Sequence, residues 1–290
     1  MSAKRLTGPT RLHKILILVA LCALCIPAIM PIVWMVSTSL KTDHQVFATG
    51  GTGGHSWSLA QIIPNPIRWQ NYPDAMTAVP FRVYLRNTVF LCLVTIFGSV
   101  LSSALVAFGF AKMDFWGKNA LFVLMISTMA VPGQVTMVPV FAMFRAFGWY
   151  GPYLPLTVPA FFASPFFVFL LTQFFKTLPT EMIEAARTDG ASDLGIFVRL
   201  VMPLAKPALA TCALFQFLDT WNDFFGPLLY LNQPNKYTLA YGLQEFLTQR
   251  GGQWTLLMAG ATVFTLPVIL LFFFAQKTFV QGIATTGRRN

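Results

Sequence analysis

The chain has 290 residues, of which 56% are hydrophobic and only 10% charged, with a formal net charge of +10 and a mean hydropathy of +0.63. A soluble domain usually carries about 25% charged residues. So few charges cannot cover a water-facing surface, which leaves a polytopic membrane protein as the class to test. The positive charge is better read through the excess of Lys and Arg on cytoplasmic loops than as a nucleic-acid signal.

The stretches 15–40, 87–111, 119–144, 146–175 and 251–276 contain no Asp, Glu, Lys or Arg. Each exceeds the ~20 residues that a helix needs to cross a bilayer. Helices are the expected form, because lipid offers no partner to unpaired backbone groups. The first run is too long for the apolar region of a signal peptide and ends in Trp34, which suits an interface. Cys22, Cys25, Cys92 and Cys212 all fall in apolar runs and read as small apolar residues of membrane helices, the CxxC spacing notwithstanding.

The segment 41–82 follows, rich in Gly and Pro, and reads as an irregular outer cap. Its GTGGHS run at 51–56 lacks the Lys–Ser/Thr of a phosphate loop, and His44 and His55 read as solvated. The third and fourth apolar runs carry Pro132, Pro139, Pro152, Pro155, Pro159 and Pro165. These are either routine kinks or bending points of a gate.

The segment 176–207, KTLPTEMIEAARTDGASDLGIFVRLVMPLAKP, is the most charged of the chain. It reads as helix, turn, helix. Thr180 serves as N-cap, Gly190 as the stop, and Ser192 or Asp193 starts a second helix reaching Pro203. A sixth apolar run, 203–231, is interrupted by Lys206, Asp219 and Asp223. Asp219, Asn222 and Asp223 stand at i, i+3 and i+4, on one face if the helix continues. A carboxylate at mid-bilayer costs about 2.5–3.5 kcal/mol. These groups therefore line a polar path, meet a partner subunit, or hydrogen-bond between helices, while Trp221 points elsewhere, to lipid or to a subunit contact.

Glu184-Ala185-Ala186, three residues, Gly190, nine residues and Leu200-Val201-Met202-Pro203 resemble the EAA loop of ATP-binding-cassette importer permeases. Leu200 and Met202 replace the Ile and Leu of its I-x-L-P ending. The resemblance extends to NYPDAM (71–76), VPGQVTMVP (131–139), TWNDFFGPLLYL (220–231) and QKTFVQGI (276–283). These motifs are similar to those of carbohydrate-uptake permeases related to the second maltose-transporter permease.

That resemblance implies an all-α polytopic membrane protein, one domain over 1–290. It has six transmembrane helices, at about 15–40, 84–111, 119–144, 150–175, 203–231 and 254–277, and a cytoplasmic helix-turn-helix coupling loop at 178–202. It implies a subunit of a binding-protein-dependent carbohydrate importer in a bacterial or archaeal cytoplasmic membrane, working by alternating access. The implied partners are a second homologous permease, an ATPase dimer holding ATP and Mg, and an extracytoplasmic solute-binding protein. Substrate and lipid are further partners; nucleic acid is not. Glu184, Ala185, Ala186, Arg187, Asp189 and Gly190 would dock on the ATPase. Asp219, Asn222 and Asp223 would line the substrate path or the permease seam. Gln281, Gly282 and Arg288 in the tail would reach between the ATPase subunits, unless the tail is only a frayed terminus.

No GxxxxGK[ST] occurs in the 290 residues, so ATP hydrolysis is assigned to partner chains and no catalytic, cofactor or metal site to this one. With six spans and both termini inside, 13 of the 20 Lys and Arg residues fall on cytoplasmic segments and 7 on outer ones. The alternative is a stand-alone secondary transporter or membrane-embedded enzyme. The former lacks a visible internal repeat here, and the latter lacks a His near the Asp219 group.

Overall fold

The computed structural model describes residues 11–48, 62–248 and 253–286. The Gly patch at 50–54, His55 and Arg288 lie outside them. The described residues form helices and no strand. In chain order these are α1 (Arg11–Ser39), α2 (Asp43–Ala48), α3 (Asn71–Ala78), α4 (Phe81–Lys112), α5 (Lys118–Thr128), α6 (Gly133–Ala146) and α7 (Leu154–Thr157). A 3-10 turn (Val158–Phe162) leads into α8 (Pro165–Lys176) and α9 (Thr180–Thr188). Next come α10 (Asp193–Ile196), a π-helical stretch (Phe197–Val201), α11 (Met202–Leu204), α12 (Lys206–Asn222) and α13 (Phe225–Tyr230). The last two are α14 (Leu239–Thr248) and α15 (Trp254–Thr286).

Among the described residues, four helical stretches are long and apolar enough to span a bilayer: 11–39, 81–112, 154–176 and 254–274. The number reaches six when two bent pairs each count as one span. The third apolar run, where prolines were expected to bend the helix, is α5 and α6, which meet at 96°. Pro132 favours the break: it disfavours helical geometry at the residue before it, and it starts α6 from an extended conformation (φ −67°, ψ 135°). The expected fifth span, 203–231, is corrected. The chain bends by 81° between 193–204 and α12, and α12 stops at Asn222 before α13 begins.

The chain packs as two compact units. One holds residues up to 78 together with 245–265. In it, the apolar length of α1 is exposed, and burial begins only near its end at Ser37–Ser39. The 62–78 segment is stitched there. Asn71 donates to the carbonyls of Ser39 (2.8 Å) and Lys41 (2.7 Å), and the hydroxyls of Ser39 and Tyr72 meet at 2.8 Å. Lys41 is buried over the Trp34 ring (4.9 Å to the centroid), and desolvation lowers its pKa below that of an ordinary lysine.

The second unit, 79–244 with 266–290, is built around α4. Small residues on α4 let α8 and the preceding 3-10 turn approach closely. A Cβ on Gly98 would lie 2.9 Å from the Phe161 ring. Serines then supply the backbone partners that lipid cannot. The amide of Ala163 donates to Ser102 Oγ (3.1 Å) and that of Ser164 to Ser103 Oγ (2.9 Å), at the break where Ala163 takes φ 60°. At the other end of α4, Asn87 donates to the carbonyls of Asn235 (2.9 Å) and Tyr237 (3.0 Å), and Thr88 Oγ1 accepts from the Leu239 amide (2.9 Å).

Candidate functional site

Two regions of the second unit stand out, the 178–202 loop and a cavity beside α12. In the loop, α9 begins at Thr180, but the N-cap position belongs to Pro179 and no side chain caps it, so Thr180 is not the cap the sequence suggested. The stop at Gly190 is as expected. Gly190 adopts φ +81°, its amide donates to Arg187 O (3.0 Å), and the Ala191 amide donates to Ala186 O (3.0 Å). That is the paired closure of a Schellman turn, in a backbone region where a side chain is strained. Ser192 caps the second helix, its Oγ accepting from the Gly195 amide at 3.2 Å.

The loop is pinned to the body of the unit. Ile183, Ile196, Phe197 and Val201 are buried in one cluster with Ala104, Ala107 and Phe108 of α4 and Phe167, Val168, Leu171 and Phe175 of α8. Lys112 Nζ also donates to Leu178 O (2.7 Å).

This anchoring sorts the motif residues. Glu184, Ala185, Asp189 and Gly190 are exposed, and the carboxylates of Glu184 and Asp189 meet no partner among the described residues. Ala186 instead packs on the chain's own buried cluster. Arg187 is engaged within the loop: its Nε (3.2 Å) and Nη2 (3.0 Å) donate to Asp193 Oδ1, and Nη2 reaches Lys112 O at 3.4 Å. Its guanidinium therefore clips α9 to α10 and holds the pair against the end of α4.

The cavity, of about 640 Å³, opens between α4, α6, α7, the 3-10 turn, α12 and α13. Asp219 and Asp223 both line it. Asn222 does not: it is the last residue of α12, and its side chain donates back to Leu218 O at 2.7 Å. The shared face expected for the three residues fails because the helix ends there and Asp223 turns extended (φ −67°, ψ 109°).

The two carboxylates differ. Asp223 Oδ1 accepts from the Gly226 amide (2.9 Å), holding the start of α13, whereas Asp219 makes no hydrogen bond or ion pair to a described residue. Trp221 is not at a lipid or subunit surface within this chain. It is 2% exposed and stacks on Phe217 at 5.2 Å, because the turn after α12 folds it inward.

The sequence reading missed Thr95, Gln134, Thr136, Gln216, Thr220 and Phe225, which share the cavity wall. Thr95 and Thr220 join α4 to α12 through their hydroxyls at 2.8 Å, and Gln216 donates to Thr220 Oγ1 at 3.0 Å. A signal was present: Gln216, Thr220 and Asp223 are polar at i, i+4 and i+7 within an apolar run, a spacing that marks a face turned away from lipid. In the tail, α15 carries the backbone of Gln281 and Gly282, while Arg288 lies outside the described residues.

Comparison with known proteins gives this architecture a context. The arabinooligosaccharides transport system permease protein AraQ of Bacillus subtilis is 32% identical over 259 residues, covering 89% of each chain. The probable ABC transporter permease protein YurM of the same organism is 31% identical over 88% of this chain and 82% of its own length. Among solved structures, a chain of a bacterial ABC transporter involved in the import of the acidic polysaccharide alginate superposes with a TM-score of 0.78. That match covers 95% of this chain and 99% of the other at 24% identity, and it speaks to the fold. Residues 99–285 match the family described as binding-protein-dependent transport system inner membrane component, and the chain belongs to that family.

Proposed function

We propose that the chain is one of two membrane-spanning subunits of an ATP-driven importer that moves a carbohydrate across the cytoplasmic membrane by alternating access. The observation that carries this reading is the 178–202 loop. It presents Glu184, Ala185, Asp189 and Gly190 outward on a scaffold pinned by Ile183 and Ile196 to a cluster with residues of α4, α8 and α12, and α4 and α12 also wall the cavity. A peg fixed to those helices can pass a push from a docked ATPase into them. The carboxylates of Glu184 and Asp189 are then left for charge-assisted bonds across the interface. ATP and Mg are held by that partner, and a solute-binding protein delivers the sugar from outside.

The carbohydrate assignment rests on the cavity and on the relatives. Several are named for oligosaccharides or glycosides: arabinooligosaccharides for AraQ, alpha-glucoside for AglG of Rhizobium meliloti and diacetylchitobiose for NgcG of Streptomyces coelicolor. The cavity offers hydroxyl, amide and carboxylate groups for sugar hydroxyls, and the exposed ring of Phe225 on its wall for a sugar's C–H face. Family membership speaks against the stand-alone alternative.

Affinity purification of the tagged chain from its native membrane tests the reading. An ATPase and a second permease should co-purify, and the complex should hydrolyse ATP faster when the sugar-loaded binding protein is added. A chain that purifies alone and transports alone would overturn it. The topology has its own test. A cysteine at Asn235 should react with an impermeant reagent applied from outside, and one at Ser192 should not; the reverse pattern would invert the orientation. The tail is assigned to the ATPase side, so deleting 281–290 should lower stimulated ATPase activity without preventing membrane insertion.

A further inference from the structure

The charge of the cavity wall bears on which sugars can use it. Among the residues lining it, Asp219 and Asp223 carry the only carboxylates, and no Lys, Arg or His accompanies them. The rest of its polar lining is neutral, made of serine, threonine and glutamine side chains such as Ser99, Thr136 and Gln216, with Tyr230. The two carboxylates have separate duties. Asp223 is committed to the Gly226 amide at the start of α13, while Asp219 stands in the cavity without a partner. A lone carboxylate with free acceptor positions can take two or more hydroxyl or ammonium hydrogens. It can offer nothing to another carboxylate, and walls of low polarity extend its repulsion across the space.

We infer that Asp219 makes this cavity charge-selective, admitting neutral or amino-bearing sugars and turning away acidic ones such as uronates. The inference rests on the cavity being the water-filled path proposed above, and it goes further by naming the class of sugar and the residue that discriminates. Asp219 is the selecting group, and Asp223 is a positioning residue for the break between α12 and α13. The fold is shared with a chain of an alginate importer, so the architecture does not itself dictate the charge of the cargo.

The test needs no knowledge of the natural sugar. Thr136→Cys and, separately, Gln134→Cys place a reporter thiol on exposed positions of the cavity wall. The assembled transporter in detergent is then reacted with a cationic trimethylammonioethyl and an anionic sulfonatoethyl methanethiosulfonate. Each rate is divided by that of the same reagent with free 2-mercaptoethanol, after subtracting the signal of the parent carrying only native cysteines. The cation should be favoured by at least about tenfold, and Asp219→Asn should cut that ratio at least about threefold. An equal ratio, or one indifferent to Asp219→Asn at both reporters, would overturn the charge selection while leaving the path intact. Thiols that resist both reagents would overturn the path itself, and the charge selection with it.

Discussion

The 178–202 loop and the wall of the cavity are built in opposite ways. The loop is ordered by neighbours in sequence: Gly190 closes on Arg187 and Ala191 on Ala186, Ser192 caps α10, and Arg187 meets Asp193 six residues on. The cavity wall is assembled from residues near 95, 134–137, 155–164 and 216–230, brought together by packing of α4 on α7, the 3-10 turn and α12, of α13 on α7, and of Phe141 and Phe144 on Tyr230. The loop's polar groups largely satisfy one another and leave a defined set outward, whereas the cavity leaves Asp219 unmatched. The teaching is about division of labour. A shape that must fit another protein can be written locally, while a space that must admit a solute has to be held open by several helices at once.

The sharpest way to break that separation is to damage the loop alone. Gly190→Pro removes the amide that donates to Arg187 O and demands φ near −65° where the backbone holds +81°. We expect the chain to remain in the membrane and thiols in the cavity to stay accessible. ATP-driven uptake should fall by more than about tenfold, because the loss of one turn contact and its strain is worth at least ~1.4 kcal/mol. Undiminished uptake, measured with radiolabelled sugar in cells, would remove the loop from the mechanism.

The reciprocal lesion lies at the cavity. A Cβ on Gly226 would approach Leu156 Cδ2 to 2.8 Å and press on the Asp223 carboxylate that holds α13. Gly226→Ala should therefore cost about 1–3 kcal/mol through overpacking. That corresponds to a melting temperature roughly 2–5 °C lower in detergent, read by a thermal shift assay. Uptake should fall, but ATPase co-purification should not, since the loop's anchors at Ile183 and Ile196 lie elsewhere in the unit. Release of the ATPase by Gly226→Ala would mean that the two regions are one cooperative element.

The same contrast explains what could be read in advance. The loop's turn at Gly190, its cap at Ser192 and its extent followed from residue types and spacing, because the interactions that form them span six residues or fewer. Arg187 was read only as a contact for the ATPase; its clip to Asp193 and its reach to the carbonyl of Lys112, 75 residues away, were not foreseen. At the cavity, extending a uniform helix through Asp223 put Asn222 on the wrong side. α12 ends where Asp223 turns extended and its carboxylate accepts from the Gly226 amide at the start of α13, a turn that periodicity does not carry. The proline breaks were visible as positions but not as angles. The 96° bend at Pro132 depends on what the freed groups of α5 and α6 pack against.

The smallest effect should come from the contact that looks most architectural in the loop. Arg187 and Asp193 are each nearly half exposed in their side chains (45% and 46%), so their Coulomb energy is strongly damped by water. A double-mutant cycle with Arg187→Ala and Asp193→Ala should return a coupling energy of about 0.2–1 kcal/mol. It should shrink further in 1 M salt, where the Debye length falls to about 3 Å. The rigidity of the peg would then rest on the Schellman turn and on the burial of Ile183 and Ile196, which salt does not screen. A coupling above about 2 kcal/mol would reverse that ranking. The guanidinium, through its reach to Lys112 O, would become the strut between loop and α4. Arg187→Lys should separate the cases, since an ammonium keeps the charge but cannot serve Asp193 and the Lys112 carbonyl with one planar fork.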